Sequence, residues 1–215
     1  MSELHEEVLA ERTRMVFECL GRQPSMSAFY LAGGTAVALH LGHRISEDLD
    51  LFTERPWSFE RIAPTLAACG PVVVDRQEAG TFVGSVGGVR VSLFHYPYVV
   101  IEEPVPTQFG LPVASLADLG CMKLVAVAQR GSRKDFVDLY YLGAAGYSIR
   151  ELLALLPGKM PGVEFNPVHI LRSLAYFEDA EAEPEPVMLV PYEWAKVREY
   201  CITEAGALLE EILAG

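Results

Sequence analysis

The chain has 215 residues, 51% of them hydrophobic and 21% charged, with 17 Lys+Arg against 29 Asp+Glu and a formal net charge of −12. This composition excludes disordered, collagen-like and coiled-coil classes. So acidic a chain has no overall electrostatic footprint for nucleic acid or an anionic membrane, although a basic patch inside an acidic shell stays open. The length suits one domain, or one domain with a helical extension, with enough chain to bury a core without staples.

The cysteines, Cys19, Cys69, Cys121 and Cys201, are scattered, with no CxxC and no metal spacing, and are expected to be four reduced thiols. The stretch Met1-Ser2-Glu3-Leu4-His5-Glu6-Glu7 is acidic and lacks the apolar run of a signal peptide. No apolar run approaches the ~18–20 residues of a membrane span. A cytoplasmic protein with no membrane partner is expected.

In chain order, residues 3–20 read as a helix stopped by Gly21. Residues 29–31 form a short apolar strand, broken by Gly33-Gly34. Thr35 then opens a small-residue helix over 36–41 that Gly42 ends. Residues 48–52 alternate polar and apolar, as a half-buried strand does. Ser58 is placed to cap a helix to about residue 69. Strands follow at 72–74, 81–86 and 89–94, the last two joined by a Gly87-Gly88 hairpin, and Pro97, Pro104, Pro106 and Pro112 close the sheet region. From Ser115 the pattern is helical: 115–130 with Asp118 in the first turn, 133–145, 148–156 stopped by Pro157-Gly158, 167–177 and 194–213. Residues 178–185 read as a solvated acidic connection. The expected fold is α+β: a mixed β-sheet with flanking helices over residues 1–110, then a helical region over 111–215.

The chemistry concentrates in Leu31-Ala32-Gly33-Gly34-Thr35 and the following His43-Arg44-Ile45-Ser46-Glu47-Asp48-Leu49-Asp50. A strand ends in two glycines and a hydroxyl residue begins a helix. The helix N-terminus offers unpaired N–H groups to a phosphate, and glycine removes a Cβ that would keep the phosphate away. Asp48 and Asp50, two apart on a strand, share one face. Paired carboxylates suit Mg²⁺, which completes its shell with water and substrate phosphates. Together the two features form a nucleotidyl-transfer layout. Taken singly, the glycines also fit an ordinary strand–helix turn, and the aspartates fit a solvent face with Arg44 between them. His40, His43 and Asp48 are poor zinc evidence. His40 reads as a helix-face residue, while His43 and Arg44 orient the loop or contact a phosphate. Trp57, Trp194, Tyr140 and Tyr141 read as core.

The stretch from Gly33-Gly34-Thr35 through Asp48-Leu49-Asp50-Leu51-Phe52 resembles the signature of the AbiEii/AbiGii-type nucleotidyltransferase toxin family, within the DNA polymerase β-like superfamily. Lys123, Arg130 and Arg133-Lys134-Asp135-Phe136-Val137-Asp138 resemble its second marker, and Tyr176-Phe177-Glu178-Asp179-Ala180 its C-terminal segment. The resemblance implies that Gly33, Gly34, Thr35 and Arg44 bind an NTP, that Asp48 and Asp50 hold Mg²⁺, that Lys123 contacts the triphosphate, and that Asp138 completes the catalytic set by activating the acceptor hydroxyl. It further implies tRNA or another RNA as candidate acceptor, docked on Lys123, Arg130, Arg133 and Lys134, and an antitoxin as partner protein.

Read from the residues alone, Lys123 lies in an apolar run where a lone lysine is costly unless paired. The pair Lys134–Asp138 has the spacing of a surface ion pair. The superfamily presents a third carboxylate on a neighbouring strand, where this chain has Ser92, with Arg90 one pleat earlier. Either Asp138 supplies that acid, it is absent, or the strand is misplaced. A missing general base costs about 10²–10⁴-fold in rate. Two rival readings therefore stand: a degenerate nucleotide-binding or interaction module without turnover, and a nucleotidyltransferase acting on an antibiotic or other small metabolite.

Overall fold

In a computed structural model, residues 4–214 are described; Glu3, where the expected 3–20 helix starts, lies outside them, and among the described residues that α-helix begins only at Glu11. A 3₁₀ turn at Glu6–Val8 precedes α1 (Glu11–Gly21). The order then runs β1 (Tyr30–Ala32), α2 (Gly33–Leu41), β2 (Leu49–Thr53), α3 (Phe59–Ala68), β3 (Val72–Glu78), β4 (Thr81–Val86) and β5 (Val89–His95). The rest is helical: α4 (Leu116–Gln129), α5 (Arg133–Ala144), α6 (Ile149–Lys159), α7 (Pro167–Ser173), α8 (Glu178–Ala182) and α9 (Trp194–Ala214).

The strands form one mixed sheet in the order β1-β2-β5-β4-β3. β2 runs parallel to β5 and the other neighbours are antiparallel. The α+β expectation holds. Period-two patterning decides the faces. Leu49, Leu51, Val91, Leu93 and Phe82 are buried in the core, whereas Asp50, Phe52, Ser92 and Phe94 stand on the opposite face. α1 and α3 cover the apolar face; α2 packs on β1, β2, α4 and α5. α4 and α5 thus lie opposite the carboxylate-bearing face, with a cavity between.

Local chemistry explains the boundaries. Gly42 caps α2 at φ +62°, the left-handed conformation that glycine takes without a Cβ penalty. The Ser115 hydroxyl accepts the Asp118 N–H at the start of α4, and Ser148 with Glu151 forms a capping box on α6. Four expectations change. α6 continues through Pro157-Gly158 to Lys159, because the buried Lys159 ammonium bonds Asp118 and the Val99 carbonyl while its own backbone carbonyl accepts the Val99 N–H. The acidic connection contains the short helix α8, whose Ala180 is fully buried. β3 extends through the charged Asp75-Arg76-Gln77-Glu78, an exposed edge that hydrogen-bonds β4 on one side. Cys19 and Cys69 form a disulfide, leaving Cys121 and Cys201 as buried thiols; α1 and the end of α3 lie side by side, a proximity that a separation of 50 residues hides.

Candidate active site

Gly33, Gly34, Thr35, Arg44, Asp48, Asp50 and Lys123 all line one cavity of about 430 Å³, with Ser92, Arg90, Arg130 and Lys134. β2 and the start of α2 supply one wall, while α4 and the α4–α5 turn supply the other. Asp138 does not line it.

The two glycines serve different neighbours. Gly33 sits at φ +66°, and a Cβ there would lie 2.5 Å from the Asp50 carboxylate. A Cβ on Gly34 would strike the Arg44 guanidinium. Thr35 is buried: its hydroxyl bonds the Asp48 carbonyl and lies 2.7 Å from the Ser46 hydroxyl, so it fixes the loop that delivers Asp48. Ser46, itself lining the cavity, was not singled out by the sequence.

Asp48 is exposed and Asp50 half-buried. Burial raises the Asp50 carboxyl above its ordinary value; the Ser92 hydroxyl opposes this and the Asp48 charge adds to it. The parallel register places Asp50 opposite Ser92, so the strand was correctly located and a hydroxyl stands where a third acid was sought. No cluster of three or more His, Cys, Asp or Glu able to hold a metal occurs among the described residues. The pair Asp48 and Asp50 fits a hard divalent ion that draws its remaining ligands from water and phosphate, and the raised Asp50 carboxyl marks a site short of positive charge.

Behind the cavity lies a buried ionic network. Arg44 donates two bonds to Asp138, Nε to Oδ1 at 2.8 Å and Nη2 to Oδ2 at 2.9 Å. His43 Nε2 lies 2.8 Å from the same Oδ1. Lys123 bridges Asp138 at 2.7 Å and Asp135 at 2.8 Å, and Asp135 also accepts from Arg130 and Ser132. Burial would raise both carboxyls, but Arg44 and Lys123 hold Asp138 well below the usual range, and Lys123 and Arg130 hold Asp135 at about 2. Burial pulls the Lys123 ammonium down and the two aspartates outweigh it.

Several expectations are corrected by this geometry. Arg44 is spent on Asp138 and does not stand between Asp48 and Asp50. Asp138 is fully buried and triply paired, so it is not presented to an acceptor hydroxyl and makes no pair with Lys134. Arg133 leaves the basic patch: it bonds the Glu183 carbonyl and covers the Trp194 ring at 4.7 Å. Lys123 is paired, as its apolar setting required. His40 sits on a helix face at the Ala114 carbonyl, apart from His43 and Asp48. Asp135, to which the sequence reading gave no role, pairs with Lys123, Arg130 and Ser132; its signals were the i,i+3 spacing to Asp138 and its place in the second marker.

A carboxylate pair at the start of β2, the first residues of α2 and a buried lysine thus line one cavity, the layout that nucleotidyl transfer requires. The fold agrees: the structure described as "Crystal structure of putative nucleotidyltransferase from H. pylori" superposes with a TM-score of 0.55 at 14% identity, over 98% of this chain and 95% of that one. An Aquifex aeolicus (strain VF5) protein, aq_aa25, described as uncharacterized, is 39% identical over 186 residues, covering 85% of this chain and 88% of its own. The model of the AbiEii family, "Nucleotidyl transferase AbiEii toxin, Type IV TA system", matches residues 14–101 and 88–211. The chain belongs to the AbiEii family and is a nucleotidyltransferase.

Proposed function

We propose that the protein transfers a nucleoside monophosphate from an NTP to a hydroxyl of RNA, with tRNA as the leading acceptor. The observation that carries the transfer chemistry is that Asp48, Asp50, the first residues of α2 and Lys123 line one cavity. Asp48 and Asp50 would hold Mg²⁺, which when bound neutralises charge developing on the leaving pyrophosphate. The α2 amides at Gly33 and Gly34 and the Lys123 ammonium receive phosphate oxygens, supplying positioning and electrostatic stabilisation. The acceptor hydroxyl oxygen attacks the α-phosphorus and gives up its proton to solvent, the bond from the α-phosphorus to the bridging oxygen breaks, and pyrophosphate leaves with that oxygen. Arg44, Asp138 and Asp135 act behind the site by fixing Gly34 and the Lys123 ammonium.

In this reading residues 1–110 bind nucleotide and metal, while residues 111–215 supply Lys123 and the acceptor side. Arg90, Arg130 and Lys134 line the same cavity on a chain of net charge −12, which supports a polyanionic acceptor over a small neutral one. Ser92 in place of an acid supports slow turnover. Membership of a type IV toxin–antitoxin family supports an antitoxin partner. No helix among the described residues is long and apolar enough to cross a membrane, which accords with action on cytoplasmic RNA.

The test is incubation with each α-labelled NTP, Mg²⁺ and total RNA. Label in the tRNA band, lost with Asp48→Ala and with chelation, is the expected result. Label confined to small acceptors overturns the RNA assignment, and no difference between wild type and Asp48→Ala overturns the metal site.

A further inference from the structure

A second cleft, of about 530 Å³, lies beyond the far end of β2 from Asp48. Arg55, Arg61, Trp57, Ser58 and Thr53 line it, and no acidic side chain does. Thr53 lies five residue steps along the chain from Asp48, roughly 17 Å at ~3.3 Å per step. The Thr53 side chain faces the opposite side of the sheet from Asp50. The cleft is therefore separate from the catalytic cavity, with which it shares no lining residue.

Its cations are free. Among the described residues neither Arg55 nor Arg61 has a carboxylate within 4.0 Å, and neither guanidinium stacks on a ring. On a chain with 29 acidic residues, two unpaired arginines beside one cleft are an anion site rather than a neutralised surface. Trp57 adds two features. Its indole ring is only half-buried, held edge-on against Phe29 at 5.9 Å between centroids. Its indole N–H is shielded from solvent and meets no acceptor among the described residues. The Ser58 hydroxyl makes no capping bond to α3 and is also available.

Paired guanidinium forks for phosphate, next to an aromatic ring for a base, are the chemistry that holds a nucleotide unit of a single strand. We infer that the Arg55–Trp57–Arg61 cleft is a nucleoside-phosphate subsite, remote from the transfer chemistry, that binds a nucleotide of an RNA strand. The inference does not depend on the metal site, since none of its residues touches the catalytic cavity.

The test is anisotropy of a fluorescein-labelled pentaribonucleotide titrated with the full chain in EDTA. The double variant Arg55→Ala/Arg61→Ala is expected to weaken binding at least tenfold and to flatten the salt dependence of log Kd by about 1.4, two phosphate contacts at ~0.7 each for a single strand. Trp57→Ala is expected to weaken binding about fivefold or more and Trp57→Phe to restore most of it. Arg14→Ala, at an exposed arginine that lines neither cavity, is expected to bind as wild type. All three arginine and tryptophan positions are at or near the surface, and thermal scans establish that each variant is folded. Unlabelled oligonucleotide displacing far better than AMP assigns the site to a strand; AMP displacing equally well assigns it to a free nucleotide and overturns the RNA part. Unchanged affinity in the double variant, equal loss in Arg14→Ala, or displacement by an acidic peptide but not by nucleotides overturns the inference altogether.

Discussion

Asp50 is a residue held against its own preference. Burial and the neighbouring Asp48 disfavour its charged form, so below the ordinary carboxylate range its protonated form costs the fold nothing, and stability is lost as pH rises through the raised folded value. Asp50→Asn is accordingly expected to raise Tm by about 2–4 °C without divalent ion, the shift of about 1 kcal/mol in a chain this size, while abolishing transfer; paired thermal scans and label-transfer assays check both halves. Ser92→Ala removes the hydroxyl that holds the Asp50 carboxyl down. The acid limb of the pH–rate profile is expected to move to higher pH, and an unmoved limb separates Ser92 from the reacting charge. The two glycines should also part ways. Gly33→Ala drives a Cβ into the Asp50 carboxylate at a left-handed φ, and activity should fall at least a hundredfold through loss of that carboxylate's placement. Gly34→Ala displaces buried Arg44, and its effect should appear first in Tm.

At the scale of elements, one ionic knot at Asp138 ties the loop after α2 to α4 and α5, beside the apolar packing of Val37, Leu124 and Phe136. Removing a single partner from such a knot leaves uncompensated charge in the interior, at a cost of about 3–5 kcal/mol. Asp138→Asn, with Arg44 and Lys123 left behind, is expected to destabilise by that amount in urea unfolding, whereas Lys134→Ala, on an exposed side chain, should move stability by less than about 0.5 kcal/mol. The knot also sets acid behaviour. Asp138 and Asp135 have folded pKa values below their unfolded ones, so their stabilisation is complete above about pH 4 and is lost as pH falls toward 2. The spacing of Asp135 and Asp138 was legible as one helix face. That Arg44, 94 residues earlier, is the partner of Asp138 was not, because no local pattern records which helix will lie over a loop.

Over the whole molecule, late sequence secures early sequence. Residues 187–189 pair with the His43–Ile45 loop: the Ile45 N–H donates to the Val187 carbonyl and the Leu189 N–H to the His43 carbonyl. The Glu183 carboxylate accepts the Arg133 N–H at the start of α5. The disulfide ties α1 to the end of α3 across a separation of 50 residues. Closing a loop of that length is worth up to about 4 kcal/mol in the chain-entropy account, so reduction is expected to lower Tm by about 8–16 °C; scans with and without reductant, beside Cys19→Ser/Cys69→Ser, measure it.

Strand alternation, glycine stops and serine caps are local, and they sufficed for the α+β class, for β2, β4, β5, α2, α4 and α5, and for setting Asp48 and Asp50 on one face beside a helix mouth; the place of Lys123 at the site came from the family resemblance. Pairing is not local. That Ser92 faces Asp50, that Arg44 and Asp138 are partners behind the cavity, that Arg133 turns to the C-terminal segment, and that α6 runs past its proline were all decided by which elements pack together. Burial converts charges that look interchangeable along the chain into partners whose separation would leave a bare ion in the interior.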